Sequence, residues 1–399
     1  MSQPLLIWDP GMLRYDFGDA HPFHPLRWEL TWRLAASLGV TTGLELVAPE
    51  PASDRVLGMV HSADYIGAVR RASAPDGYGG VGHGSVGYGL GTADNPVFPG
   101  LHEAAALIAG GSVAAARAIA RRDVDRAVNI AGGLHHAMAG HASGFCIYND
   151  AALAIATLLA EGVHKVAYVD VDVHHGDGVQ RAFYDDPRVL TVSLHESPLS
   201  LWPGTGFVTE SGRGAAAGTA VNIPLPAGTG DSAWLRAFSA VVPAVVREFR
   251  PDVLVTQHGA DSHRDDPLAD LNLTVDGQVA SYRALRDLAG DAAGGRWLAL
   301  GGGGYSLVRV VPRAWTHLLA LVSDRDLDGA TAIGEEWIAA ATAARPAEPA
   351  PHHMSENGGS PISFEPWDGQ DATPVDRVIM QVRKEIFPLY GLDPFDPRD

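Results

Sequence analysis

The segment Tyr168-Val-Asp-Val-Asp-Val-His-His175 sets two carboxylates and an imidazole at every second position. A strand turns successive side chains to opposite faces, so Asp170, Asp172 and His174 share one face and Val169, Val171 and Val173 the other. Burying two carboxylates side by side is costly unless a cation neutralises them. Carboxylate and imidazole donors without a thiolate suit zinc, or another divalent metal such as iron or cobalt. A half-solvated polar strand face is the plain alternative. The apolar opposite face and the His-His-Gly-Asp-Gly run that follows (174–178) argue against it.

A catalytic zinc takes three protein ligands and keeps a position for water. Asp261 is the best third ligand, with Asp265, Asp266 and Asp270 as competitors. His135 and His136 follow an apolar run and a Gly-Gly turn. Paired imidazoles beside a metal can divide the work between general base and electrostatic partner. Each needs its second nitrogen oriented, usually by a carboxylate, and Asp170 and Asp177 are candidates. The run Gly301–Gly304 fits neither dinucleotide nor P-loop spacing. It allows a sharp turn and close backbone approach, which would bring the Tyr305 hydroxyl into a cleft. A phenol there can donate to a carbonyl oxygen as it becomes an oxyanion.

These residues fall where strands are expected to end. The pattern predicts strands at 127–130, 165–174, 189–195, 252–258 and 297–301. Helices are predicted at 101–121, 150–159, 231–249, 276–288 and 310–322. Such alternation argues for a parallel sheet covered on both faces, in which ligands bind beyond the carboxyl ends of the strands. After Ala343 the composition shifts to Ala, Pro, Glu, Gly and Ser, which predicts a linker over 343–373 following a domain over 1–342. Thr373-Pro374 makes an N-cap and first turn. Val375, Val378, Ile379, Val382 and Ile386 then follow at helical spacing, so the tail 374–399 is expected to dock back on the domain.

The composition narrows the function. Acidic residues outnumber basic ones by 47 to 29 in the 399 residues, a net charge of −18. Nucleic acid and anionic membrane are therefore not expected partners. One cysteine, Cys146, excludes an internal disulfide and a multi-cysteine metal site. No leader is visible in Met1-Ser2-Gln3-Pro4, and no apolar run reaches the ~18 residues that span a bilayer. The expected location is the cytoplasm.

Gly132-Gly-Leu-His-His136, Ala142-Ser-Gly-Phe-Cys146, residues 168–179, Val192-Ser-Leu-His195, Pro203-Gly-Thr-Gly206 and Gly301–Tyr305 together resemble the class I-type histone deacetylase family in type, order and spacing. The resemblance runs from about residue 5 to about 325. Residues 88–100 and the tail helix look most like the bacterial acetoin-utilisation branch. It implies the arginase/deacetylase fold, a three-layer α/β/α arrangement with a mostly parallel sheet, and zinc-dependent hydrolysis of Nε-acetyl-lysine. Asp172, His174 and Asp261 would hold zinc. His136 would be general base, oriented by Asp177, and His135, paired with Asp170, would stabilise charge. Tyr305 would polarise the carbonyl. Gly144, Phe145 and Trp202 would flank the acyl-lysine, Asp94 would hold the substrate backbone, and Arg27 would line an exit path for the acid. Potassium would sit near Asp170, Asp172, His174, Ser193 and Leu194. Acetylated proteins, an acyl-CoA synthetase among them, are the implied partners. Acetylpolyamines, longer acyl chains and a silent acyl-lysine binding module are the competing readings. Trp202 stands where the family often has Phe.

Overall fold

The computed structural model describes residues 3–74 and 87–399; Met1 and Ser2, part of the start read above for a leader, lie outside them. The strands are β1 (Leu5–Ile7), β2 (Glu45–Val47), β3 (Arg126–Asn129), β4 (Val166–Asp170), β5 (Val189–Glu196), β6 (Ala220–Leu225), β7 (Val253–Gln257) and β8 (Trp297–Leu300). All pair parallel in one sheet of order β2-β1-β3-β8-β7-β4-β5-β6. Every residue of β4, β5, β7 and β8 is buried. That explains why these segments read as near-continuous apolar runs: strands covered on both faces have no solvent side to mark.

The helices are α1 (Leu26–Ser37), α2 (Asp54–Leu57), α3 (Ala63–Ala72), α4 (Leu101–Ala120), α5 (Asp150–Ala160), α6 (Asp177–Phe183), α7 (Asp231–Phe249), α8 (Val275–Ala292), α9 (Val311–Val322), α10 (Glu335–Ala344) and α11 (Pro374–Ile386). Contacts with the strands put α4, α5 and α6 on one face of the sheet and α7, α8, α9 and α11 on the other, with α1 packed on α9. The expected strands and helices all occur, with shifted ends. The sequence pattern missed β1 and β2, three residues each, and β6, which carries Pro224. It also missed α1, whose buried side includes Arg27 and Thr31 and so breaks the apolar period. One expectation needs correcting. By length and composition α4 is apolar enough to span a bilayer; two-thirds of it is buried inside the fold, where it serves as a core helix.

The segment 345–373 carries no helix or strand, yet specific contacts fix it. Met354 and Trp367 are buried. Glu348 accepts hydrogen bonds from Ser306 Oγ, Val308 N and Arg309 N, each at 2.9 Å. Beyond it, Thr373 and Asp376 form a capping box that starts α11. Asp376 also pairs with Arg236 of α7 at 2.7 Å, which ties the last helix to the domain.

Glu356 ties the same segment to α9 and to the loop after β7. Its carboxylate meets His263 Nε2 at 3.0 Å, Arg313 Nη2 at 2.9 Å and Arg264 Nη2 at 2.9 Å. Burial works against its charge, but His263 and Arg313 outweigh it and draw the pKa down from 4.5 to about 2. A depressed carboxylate contributes stability that is complete above about pH 4.5 and lost as pH falls towards 2. Glu356→Ala leaves the Arg313 cation buried without its partner, a loss of about 3 kcal/mol. Urea unfolding at pH 7 should show that loss, and the gap from wild type should narrow as the pH falls from 4.5 towards 2.

Candidate active site

The four loops singled out by sequence follow β3, β4, β7 and β8, which stand side by side as β3-β8-β7-β4. Their carboxyl ends therefore open onto one crevice. The expected strand 165–174 ends early, at Asp170. Beyond it Asp170 Oδ1 accepts Asp172 N at 3.1 Å, Asp172 Oδ1 accepts His174 N at 3.0 Å, and Asp261 Oδ1 accepts Val173 N at 3.0 Å. Short acidic side chains capture the amides that a longer ladder would use. The chain curls, and Asp172 and His174 still meet at its inner side.

Asp172, His174 and Asp261 are buried, and one donor atom from each lies within 4.8 Å of the others. His174 Nδ1 is 3.2 Å from both Asp172 Oδ1 and Asp261 Oδ2. The remaining carboxylate oxygens are anchored. Gln257 Nε2 and Gly303 N donate to Asp172 Oδ2 at 2.7 and 2.8 Å, while Val173 N holds Asp261 Oδ1. Burial, and then the charge of Asp172, push Asp261 up to about 6. Burial opposes charge on His174 too, yet the two carboxylates raise it to about 10. The cluster thus demands positive charge at its centre. A divalent cation meets that demand, and the donor set fits one. Of the competing aspartates, Asp265 pairs with Arg309 at 3.0 Å and Asp266 Oδ2 accepts Tyr305 N at 2.8 Å. Neither joins the cluster.

The two histidines sit 4.0 Å apart, ring centre to ring centre. His135 Nδ1 meets Asp170 Oδ2 at 2.7 Å and His136 Nδ1 meets Asp177 Oδ1 at 2.7 Å. A carboxylate at Nδ1 fixes the proton on that nitrogen, which leaves Nε2 as the other ring position. Burial opposes charge on His135, but Asp170 and Asp172 together lift it to about 9. Burial and then the His135 charge press His136 down to about 4. The pair is thus divided into a cationic and a neutral imidazole, the arrangement expected of an electrostatic partner and a base. His175 stays apart, hydrogen-bonded to Thr205 and Gln180.

Supports that sequence reasoning missed hold this loop. Asp150 accepts from Gly133 N, Leu134 N and Ser112 Oγ at 3.0, 2.7 and 2.6 Å. Asn149 Nδ2 donates to the carbonyls of His135 and Ala137, both at 3.0 Å. Asn149 is at the same time the N-cap of α5, its side chain accepting from Ala152 N. Tyr168, whose hydroxyl donates to Asp170 Oδ2 at 2.7 Å, shares the alternation of the acidic residues and could have been read from it. Gln257 carried no such signal inside an apolar strand.

Above the cluster lies a cavity of about 300 Å³ lined by Asp94, His136, Gly144, Phe145, His174, Leu201, Trp202, Leu268 and Tyr305. The Phe145 and Tyr305 rings meet edge to face at 5.7 Å, and Trp202 stands edge to face with His136 at 4.6 Å. Exposed Asp94 sits at the rim, where its carbonyl is 3.3 Å from His21 Nε2. Burial, with Asp261 second, drives the Tyr305 pKa well up, so the phenol remains a donor. Below it Arg27 is fully buried and donates to Gly304 O at 3.1 Å, while its Nε has no partner among the described residues. Asp170 pairs in register with Ser193 of β5, beside Leu194, and Ser193 Oγ meets His195 Nδ1 at 2.9 Å. The glycines are steric necessities. A Cβ at Gly303 would overlap Asp261, and one at Gly144, where φ is +52°, would sit 2.5 Å from His136 Cδ2 and 2.6 Å from the Trp202 ring.

A parallel sheet ending in a buried Asp/His/Asp cluster beside two His–Asp pairs defines a metal-dependent hydrolase site, and the comparisons agree. The histone deacetylase domain family matches residues 21–322, so the chain belongs to that family and has its arginase-type fold and deacetylase activity. Among curated proteins it is similar to the acetoin utilization protein AcuC of Bacillus subtilis strain 168, at 42% identity over 338 residues, 85% of this chain and 86% of that protein. AcuC of Staphylococcus xylosus is 37% identical over 83% of this chain and 85% of its own length. Among solved structures, an HDAC homologue complexed with SAHA aligns at TM-score 0.80 and 27% identity, covering 96% of this chain and all of that one. An HDAC homologue from Aquifex aeolicus aligns at TM-score 0.79 and 26% identity, with the same coverage.

Gly144→Ala tests the packing of the base. The added methyl meets the His136 ring in a backbone conformation that L-residues avoid. Displacing a catalytic group by ~1 Å can cost about 10²-fold. Turnover should fall by roughly that factor while the circular dichroism spectrum and bound metal stay as in wild type.

Proposed function

We propose that the chain is a zinc-dependent lysine deacetylase that hydrolyses Nε-acetyl-lysine on proteins to lysine and acetate. One observation carries this reading: Asp172, His174 and Asp261 converge beneath a cavity whose walls also carry His136 and Tyr305. The cavity is walled by Phe145 and Trp202 and suits an alkyl stem ending in an amide, the shape of an acylated lysine. Zinc held by the three ligands would acidify a water and polarise the amide carbonyl.

The chain's own residues supply the rest. His136, neutral and set by Asp177, takes a proton from the water and returns it to the leaving amine. His135, kept cationic by Asp170, offsets negative charge that develops nearby. Tyr305 donates to the carbonyl oxygen as it gains charge. Asp94 accepts from substrate amides at the rim, and buried Arg27 attracts the carboxylate product. Potassium beside Asp170, Ser193 and Leu194 would steady the β4–β5 end of the site. The catalytic domain spans 1–342, with 343–373 as a connector and 374–399 docked on it. The proposal includes a cytoplasmic location and an acyl-CoA synthetase among the acetylated protein substrates.

Acetyl-lysine peptides assayed with metal content measured would test this reading, and zinc-loaded protein that cleaves none of them would refute it. Asp261→Ala should lose both zinc and turnover. His136→Ala should keep the metal and lose about 10²-fold or more in turnover, with His135→Ala milder. Tyr305→Phe removes one oxyanion donor, so turnover should fall roughly 10²–10³-fold while the peptide dissociation constant changes far less. Unchanged turnover in that variant would mean that Tyr305 does not meet the carbonyl.

A further inference from the structure

Tyr305 lines more than the acyl cavity. Besides the acyl cavity it borders a cleft of about 600 Å³ whose other walls are 19–22, Pro267, Leu307 and 344–348. His21 belongs to the cleft, and its contact with the Asp94 carbonyl joins the two rims. A chain entering the acyl cavity by one side chain therefore passes this cleft with its neighbouring residues.

The wall formed by 344–348 lies beyond residues 21–322, which match the family. The wall is also fixed in place. Glu348 binds Ser306 Oγ, Val308 N and Arg309 N, the turn directly after Tyr305, so wall and catalytic phenol move as one body.

The charges in the cleft are unequally used. Asp19 faces His24 at 3.6 Å. The Glu348 oxygen that binds the turn already accepts three donors. Arg345, half-buried, ends α10 with its backbone N–H on Ala341 O, and among the described residues no carboxylate lies within ion-pair distance of its guanidinium. Most of the remaining lining is apolar: Ala20, Pro22, Pro267, Leu307, Pro346 and Ala347. A guanidinium without an anion, beside apolar surface, matches a carboxylate carried on a polypeptide.

Building on the deacetylase reading, we infer that this cleft is a second substrate subsite. It takes the residues flanking the acyl-lysine, and Arg345 selects an acidic side chain among them. The net charge of −18 works against any anionic substrate, which makes a local cation at the site mouth the element that decides the preference.

The test is a set of acetyl-lysine peptides carrying Glu, Gln or Lys singly at positions −3 to +3. Each enzyme's kcat/KM ratio for Glu over Lys at each position is its own reference. Wild type should favour Glu at one or two adjacent positions. Arg345→Glu should lower that ratio roughly fivefold to tenfold there and not elsewhere, the scale of a screened ion pair reversed. Arg345→Lys should restore most of it, and 0.5 M salt should weaken it in wild type. Ratios that are the same in all three enzymes, or that shift equally at every position, would overturn the subsite. Wild type that cleaves no acetyl-lysine peptide would instead overturn the reading on which it rests.

Discussion

Asp172 and Asp261 turn one oxygen each toward the same buried point, with His174 between them. Two carboxylates cannot share such a place without a positive charge, because neither water nor distance screens them. Much of the surrounding structure serves that constraint. Gln257 and the amides of Val173 and Gly303 occupy the outward oxygens, so only the inward ones remain for a cation. The glycine run after β8 exists because any Cβ at 303 would strike Asp261. The same run then turns the chain so that Tyr305 reaches the cavity.

The negative field of the cluster also explains why two neighbouring histidines differ. His135 lies nearer the carboxylates of Asp170 and Asp172 and is held cationic; its charge, added to burial, keeps His136 neutral. Electrostatics of the cluster thereby set the roles in proton transfer. The dyads are braced from behind by Asp150, Asn149 and Tyr168, which hold backbone and carboxylate rather than substrate. A site of this kind sits on rigid strand ends because small displacements of a base or an oxyanion donor carry large kinetic costs.

The C-terminal part adds a layer of its own. Glu348 and Glu356 fasten an irregular segment to the loops that follow β7 and β8, and Asp376 fastens the last helix to α7. Composition alone reads that segment as a connector, since Ala, Pro and Gly give no periodicity. Its ordering comes from two carboxylates that find partners far away in the chain.

Sequence by itself determined the kinds of chemistry present and where they stand along the chain. Alternation across 168–174, paired histidines after Gly-Gly and a glycine run before Tyr305 each carry a local physical signal, and their joint order carries the family resemblance. The buried strands were legible for the same reason, as short apolar runs. Sequence favoured Asp261 as the third member of the cluster but left Asp265, Asp266 and Asp270 as competitors, since they lie close by and share one chemistry. Tertiary structure decided it by giving Arg309 to Asp265 and the Tyr305 amide to Asp266. It likewise decided that Asp150 braces the histidine loop and that Arg345 and Tyr305 line one cleft. Those facts depend on contacts between residues far apart in sequence, and a periodic pattern records only what neighbours along the chain share.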